Sequence, residues 1–522
     1  MASQPAVHRE VERKLRVAPD FVPVDLVALG VVARVIPGQP VHMTAAYHDT
    51  PDLRLLRWGA TLRRREGGAD AGWHLKLPVH GADSGTRDEL HLPLWSGSAG
   101  FVPAELADIV APLTRGERLV PVAWVHTLRT PSTLIGSMGT AVAELADDQV
   151  EVRDPMGQTV AAYREIEVEV IGSGEAAIAA VDQVASVLIG QGAQASSVSK
   201  AAAALGERAG APADIAVGRL PTAQDPAREA LRSIIALHSR HLVLADVAVR
   251  RGLPDSVHQL RVAARRLRST LRVLEPLLEV DWARTVEEEL SWLASELGLV
   301  RDTEVLASRL APHVDALGEP DASLVRAALD PVLRNRLVGA QGSALAALRS
   351  DRHDLLLEDL VRGSTEPPTT DLAEQPSGIV LPALAEKAWK RLGRAVRELS
   401  RDAHGQDAHG RDAHADAWHR VRIRAKRARY VVESIEPVLA TPGRRLARRL
   451  ADVTEVLGEL QDARVAGDLI REVSMQEGTR PQTAYALGRL SAQQAAQEQS
   501  TRRAFGDLWP SVRHAAKQLG WA

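Results

Sequence analysis

The chain has 522 residues, 45% of them hydrophobic and 25% charged, which is enough for two or more domains with separate cores. Aromatic residues make up 3% and cysteine is absent, so the cores must be aliphatic, and disulfides, thiolate catalysis and cysteine-ligated zinc are excluded. A net charge of −3 argues against a general nucleic-acid binder, although basic residues are concentrated in a few stretches (RVAARRLRSTLR, VRIRAKRARY and GRRLARRL).

The first residues, MASQPAVHREVERK, carry no apolar leader core, and no run approaches membrane-span length. The expectation is a cytoplasmic protein with no membrane partner and no specific nucleic acid.

Residues 1 to about 205 predict short strands. Alternating segments such as REVERKLRV, ATLRRRE, WHLKLPV, TRDELHLPL, AVAELADD and YREIEVEV are separated by Gly, Pro and Asp turns. Two helices interrupt them, near Pro103–Leu113 and Ala176–Gly190, as in an antiparallel sheet or barrel. Gly172-x-Gly174 lacks the further spacing of a dinucleotide fingerprint and is taken as a turn.

Side chains two apart on a strand share a face. Glu10, Glu12 and Lys14 therefore line one face, as do Arg63 and Arg65, Arg87 and Glu89, Glu144 and Asp148, and Glu165, Glu167 and Glu169. For one strand a solvated outer face is the ordinary explanation. Five such strands point instead to an ionic barrel interior, where buried charges need metal ions or ligand phosphates as partners.

Taken in order, these residues resemble a known family. Glu10-x-Glu12-x-Lys14, Tyr47-His48-Asp49-Thr50, Leu62-Arg63-Arg64-Arg65, Lys76, Arg87-x-Glu89, Arg129, the Glu144–Asp148 strand, Glu165-Ile166-Glu167 and Ser199-Lys200 make residues 5–208 similar to the CYTH superfamily of triphosphate-tunnel enzymes.

The resemblance implies an eight-stranded antiparallel tunnel that binds triphosphates with a divalent metal. On it, Lys14, Arg63, Arg65, Lys76, Arg87, Arg129 and Lys200 would hold phosphate oxygens. Glu10, Glu12, Glu144, Asp148, Glu165 and Glu167 would hold Mg²⁺ or Mn²⁺ and orient the attacking water, with Glu10, Glu12 and Lys14 at the catalytic centre. His91 departs from the family pattern where many relatives continue Arg-x-Glu-x-Glu, and His126 stands where close relatives often carry Arg.

A polar, Pro-containing link (residues 209–225) leads into long helices over 226–515. Within them RDAHGQDAHGRDAHADAWH repeats Asp-Ala-His from Asp402, Asp407 and Asp412. A surface loop accounts for that tract better than metal binding does. The helical half is itself duplicated, over about 226–350 and 378–515. His258, Arg261, Arg265 and Arg268 recur as His419, Arg422, Lys426 and Arg429 with the same spacing, and Leu297-Gly298 before Arg301-Asp302 recurs as Leu457-Gly458 before Gln461-Asp462. The expectation is an all-α domain of two homologous bundles.

At 100° per residue, His258, Arg261, Arg265, Arg268 and Arg272 fall within about 80° of one another, opposite a leucine face. An ordinary wet helix face mixes charge signs, whereas a row of like charges needs an anion to screen it. These residues, with Arg266 and the second copy, resemble the CHAD domain, a basic helical family often fused behind CYTH domains. That resemblance implies binding of inorganic polyphosphate through His258, Arg261, Arg265, Arg266, Arg268, Arg272, His419, Arg422, Lys426 and Arg429, with polyphosphate granules as a candidate location.

The favoured expectation is a metal-dependent triphosphatase (a hydrolase of tripolyphosphate or a related triphosphate) with a polyphosphate-binding helical domain. A non-catalytic polyphosphate-targeting protein and a CYTH-type adenylyl cyclase are the alternatives.

Overall fold

The computed structural model describes residues 6–28, 30–79, 86–172, 174–196, 200–219, 221–402 and 410–521. Ser199 and the Asp-Ala-His repeat lie outside the described residues and side chains. The chain divides into two compact units, Met1–Asp214 and Ile215–Ala522, and the division falls inside the expected link.

In the first unit the strands are β1 (Ala6–Val17), β2 (Arg34–Pro37), β3 (Val41–Asp49), β4 (Thr61–Glu66), β5 (Gly72–Pro78), β6 (Thr86–Pro93), β7 (Val120–Ile135), β8 (Ala141–Arg153), β9 (Thr159–Val170) and β10 (Gln194–Ser196). Helices α1 (Arg54–Arg57), α2 (Ala104–Thr114), α3 (Glu175–Gly190) and α4 (Lys200–Leu205) lie between them. Pairing runs β1-β6-β5-β4-β3-β7-β8-β9 and returns to β1, so eight antiparallel strands close on themselves, as expected. Short β10 adds to β1 and β2 adds to β7.

The motif cations and carboxylates take the inner side of the pleat, while the outer side mixes apolar residues with ion pairs such as Arg9–Asp88 and Arg164–Asp147. Leu15 on β1, Leu145 on β8, and Ile166 and Val168 on β9 point outward and pack against Val181, Val184 and Leu188 of α3. The inward set carries the motif charges. Elsewhere Ala45, Val125 and Val152 pack with Ala201 of α4.

The Tyr47-His48-Asp49-Thr50 motif shapes the turn out of β3. The Asp49 carboxylate accepts the backbone N–H groups of Thr50 (2.7 Å), Leu55 (2.8 Å) and Leu56 (2.9 Å), pinning the first turn of α1. This fixes where β4, with Arg63 and Arg65, begins.

The second unit comprises α5 (Ala227–Arg250), α6 (Ser256–Leu274), α7 (Val280–Glu296), α8 (Gly298–Asp315), α9 (Asp321–Leu348), α10 (Asp351–Thr365), α11 (Ser377–Asp402), α12 (Gly410–Ser434), α13 (Glu436–Ser474) and α14 (Pro481–Lys517). The duplication is visible in the element order. α5 and α6 correspond to α11 and α12, and α9 corresponds to α14. Across the Leu-Gly junction the copies differ: the chain breaks between α7 and α8, but runs through Leu457-Gly458 inside α13. The copies share a core, in which Leu306, Leu310, Val325 and Leu329 pack with Leu469, Ile470, Leu487 and Leu490.

Candidate active site

The barrel interior holds a cavity of about 590 Å³, and all seven predicted phosphate-binding cations line it: Lys14, Arg63, Arg65, Lys76, Arg87, Arg129 and Lys200. Six come from five different strands and Lys200 from the start of α4. Such a concentration of buried charge is tolerable only with partners.

In the free protein the partners are carboxylates. Lys14 Nζ lies 3.0 Å from Glu12 Oε1 and 3.3 Å from Glu167 Oε1. Arg129 grips Asp148 with two bonds, of 2.8 and 2.7 Å, and reaches Glu167 at 2.5 Å. Lys200 Nζ sits 2.6 Å from Asp148 and 3.1 Å from each of Glu165 and Glu167. Arg65 pairs with Asp70 of the β4–β5 hairpin. Arg87 donates to the Gly59 carbonyl at 2.5 Å, and Arg63 donates to the Tyr47 hydroxyl at 3.4 Å.

The predicted metal ligands fall into two groups. Glu10, Glu12 and Glu167 line the cavity. Asp148, Glu165 and Glu167 bring oxygens within 4.8 Å of one another in a fully buried cluster. Glu144 joins neither: it is half-buried in register with Glu169, nearer the start of β8 than Asp148.

Sequence reasoning places Glu169 and Glu89 on the inner face but gives them no role. Both line the cavity, and Glu169 is in register with Glu12. The alternation that exposes Glu165 and Glu167 in the sequence extends to Glu169, so the signal is present. His74 and Asp70 carry no such signal. His91 faces inward and meets His74 at a tilt, with ring centroids 4.8 Å apart and the ring planes 50° from parallel. His126 hydrogen-bonds Thr44 Oγ1 at 3.1 Å from the side of the pleat opposite Arg129, so its departure from the family pattern leaves the cavity unchanged.

The carboxylates differ in proton affinity according to their neighbours. Burial raises Glu10, with the Glu12 and Glu89 charges adding to it against Lys76. Burial, then Glu10, pushes Glu169 up to about 7. Burial also opposes the ionisation of Glu167, but Lys200, Lys14 and Arg129 outweigh it and hold the group well below the usual carboxylate range. Burial and the neighbouring Arg63 and Arg129 charges bring Arg65 down to about 9, the behaviour of a cation short of anions.

In the helical unit the basic rows of α6 and α12 face each other. Arg265 donates to the Tyr430 hydroxyl at 3.5 Å, and Arg266 pairs with Glu433 at 3.0 Å. Burial lowers Lys426 to about 6, followed by the charges of Arg265 and Arg422. Burial and Arg265 likewise lower Arg422.

Two carboxylates from the repeated Leu-Gly motif approach these rows. Asp302 meets Arg261 at 2.6 Å, and the charge of Asp462 partly offsets those of Arg422 and Lys426.

The predicted set does not act as one group. Arg429 and Arg266 share Glu433, Arg268 donates to Ser291 at 2.8 Å, and Arg272 pairs with Glu287. His258 is half-buried and His419 exposed. Arg427, absent from the predicted set, is lowered to about 10 by burial and by Arg272 and Arg424.

A closed antiparallel barrel with an ionic interior, followed by a duplicated helical domain with basic rows, defines a two-domain tunnel protein. The CYTH domain family matches residues 8–201 and the CHAD domain family matches residues 233–471. An uncharacterised protein of Mycobacterium tuberculosis is 33% identical over 506 residues, covering 95% of this chain and 94% of its own length. The chain belongs to the CYTH–CHAD family.

Among solved structures, PptA from Streptomyces chartreusis is 26% identical and covers 55% of this chain and 100% of its own, with a TM-score of 0.46. The CHAD domain from the plant Ricinus communis is 25% identical and covers 56% and 94%, with a TM-score of 0.44.

Proposed function

We propose that the barrel is a metal-dependent triphosphatase hydrolysing inorganic tripolyphosphate or a related triphosphate, and that the helical unit binds inorganic polyphosphate. The observation that carries the first part is the convergence of seven cations on one cavity beside Glu10, Glu12, Glu167 and Glu169. A chain of phosphates is the ligand class that can exchange with so many carboxylate partners at once.

A divalent metal fits the residues present. Glu10 Oε2 is buried without a hydrogen-bond partner, and the carboxylates of Glu12 and Glu89 stand near it, oxygen ligands of the kind a hard cation takes. Glu10, Glu12 and Glu167 would hold Mg²⁺ or Mn²⁺, with Glu169 alongside. The ion when bound supplies charge neutralisation and a polarised water.

The protein's own part is positioning. Lys14, Arg65, Arg129 and Lys200 exchange their carboxylates for phosphate oxygens, and Arg63, Lys76 and Arg87 add further cationic contacts around the same cavity. This aligns the terminal phosphorus for in-line attack. The closed wall limits competing water.

The helical half of the reading rests on Arg265, Arg422 and Lys426, whose mutual repulsion an extended polyanion would relieve. Among the described residues no helix is long and apolar enough to cross a membrane.

The test is product analysis with tripolyphosphate and with ATP, each with Mg²⁺ or Mn²⁺. Orthophosphate release is the expected result. Cyclic nucleotide with pyrophosphate would replace the hydrolase with a cyclase, and phosphate binding without turnover would leave a targeting protein.

A further inference from the structure

One stretch of the barrel wall has no strand along one edge. Lys14 of β1 pairs with Glu167 of β9 on one side and with Ser196 of β10 on the other. β6 follows that second edge only as far as Val11, and β10 takes it up again at Lys14. Among the described residues, no strand pairs with Glu12 and Arg13 there, and the ionic cavity runs out through this gap.

The residues around the cavity trace the passage. Glu12 and Lys14 point into the barrel, whereas Arg13 and Leu15 lie on the other side of the pleat, and all four line the cavity. On β10, Ser196 is in register with Lys14 and Ala195 with Leu15, and both line it too. So do Ala185 and Ile189 of α3, the helix packed on the outside of β1. A cavity bounded by both faces of β1 and by that helix has to pass the strand's edge.

Its outer end differs in chemistry from the tunnel. Asp182, Ala185 and Ile189 share one stripe of α3, at spacings of three and four residues. Ala185 is buried and Ile189 is 44% exposed. Arg13 lies on this outer side, where Asp182 holds it at 2.8 Å and it donates to the Glu12 carbonyl at 3.2 Å. A single exposed isoleucine is ordinary on a surface. Ile189 differs in being continuous with the ionic tunnel.

These features select the occupant. A phosphate chain running out past Ala185 and Ile189 would leave its charge beside methyl groups, without cationic partners. A flat group with apolar faces and hydrogen-bonding edges meets no such cost. The cavity, at about 590 Å³, is also of the size that buries an organic ligand, about 300–1,000 Å³. Resting on the triphosphate reading above, the geometry points to a side subsite, formed by Arg13, Ala185, Ile189, Ala195 and Ser196, for the nucleoside of a nucleoside triphosphate. The apolar stripe of α3 covers one face of the base, and Arg13 and Ser196 border its polar edge. The triphosphate stays among the tunnel cations, and the seated nucleoside shuts the gap to water.

The test is steady-state kinetics of the full chain with ATP, GTP and tripolyphosphate, each with Mg²⁺ or Mn²⁺ and read as substrate consumed. Ile189→Ser, at an exposed position, should lower kcat/KM for the nucleotides about tenfold relative to kcat/KM for tripolyphosphate. Ala195→Trp, which fills the gap from β10, should lower the same ratio further, mainly through KM. Should one variant fold poorly by circular dichroism, the other carries the test. A ratio equal to wild type in a folded variant overturns the inference and leaves the triphosphate reading standing. Wild type that consumes tripolyphosphate but neither nucleotide does the same. Wild type that consumes none of the three overturns both.

Discussion

Lys76 Nζ lies 2.5 Å from Glu10 Oε1, joining β5 to β1 across the intervening β6. The second carboxylate oxygen of Glu10 is buried with no partner. One oxygen is thus held in place by a cation while the other is left for a ligand; on the same strand face Lys14 stands 3.0 Å from Glu12 and 3.3 Å from Glu167. Glu10→Ala and Lys14→Ala should each lower orthophosphate release from tripolyphosphate by about 10²-fold or more, read as kcat. Circular dichroism unchanged from wild type would separate this from unfolding.

Lys200 is the shared partner of Asp148, Glu165 and Glu167. Lys200→Met should destabilise the barrel unit by about 3 kcal/mol, because it leaves buried carboxylates under-compensated. Denaturant melts of the wild type should also show an acid limb. The folded pKa of Glu167 is depressed, so the stability it contributes is complete above its ordinary value of 4.5 and is lost as pH falls through the lower folded value. A flat profile from pH 7 to pH 3 would contradict this.

Polyphosphate binding by the helical unit should strengthen as pH falls toward 6. Lys426 is lowered to about 6 in the free protein, so a polyanion must draw a proton onto it at higher pH, and affinity declines as pH rises. Lys426→Met should flatten that dependence. Arg265→Ala combined with Lys426→Ala should weaken binding while leaving tripolyphosphate hydrolysis intact. Added salt should weaken it further, since the charges lie near solvent.

Asp49 accepts three backbone N–H groups that no other residue would satisfy. Asp49→Ala should therefore cost about 2 kcal/mol or more, measured as a shift in the denaturation midpoint. Activity should fall with it, because the turn it pins sets the start of β4 and the placement of Arg63 and Arg65. Full activity at unchanged stability would show that the cap is dispensable.

Much of this was legible along the chain. Period-two alternation placed Glu10, Glu12, Lys14, Arg63, Arg65, Glu165 and Glu167 on common faces, because a strand gives its side chains only two directions. The matching intervals of the two basic motifs revealed the helical duplication. Those patterns are local, so sequence carries them.

The limits of that reading are equally physical. Whether a charged face looks into a cavity or out to water depends on barrel closure, which β1 achieves by pairing with β9 about 150 residues away. The separation of Glu144 from the Asp148 cluster, and the gathering of Asp70, His74 and Glu89 around one ring, likewise depend on strand register and hairpin geometry. In the helical unit, sequence presented the cations of α6 and α12 as two uniform rows. Only packing divided them into Arg266 and Arg429, which Glu433 takes up, and Arg265, Arg422 and Lys426, which repel one another. Residue order sets which side chains share a face, but the distances that decide proton affinity and pairing exist only once distant strands and helices are packed together.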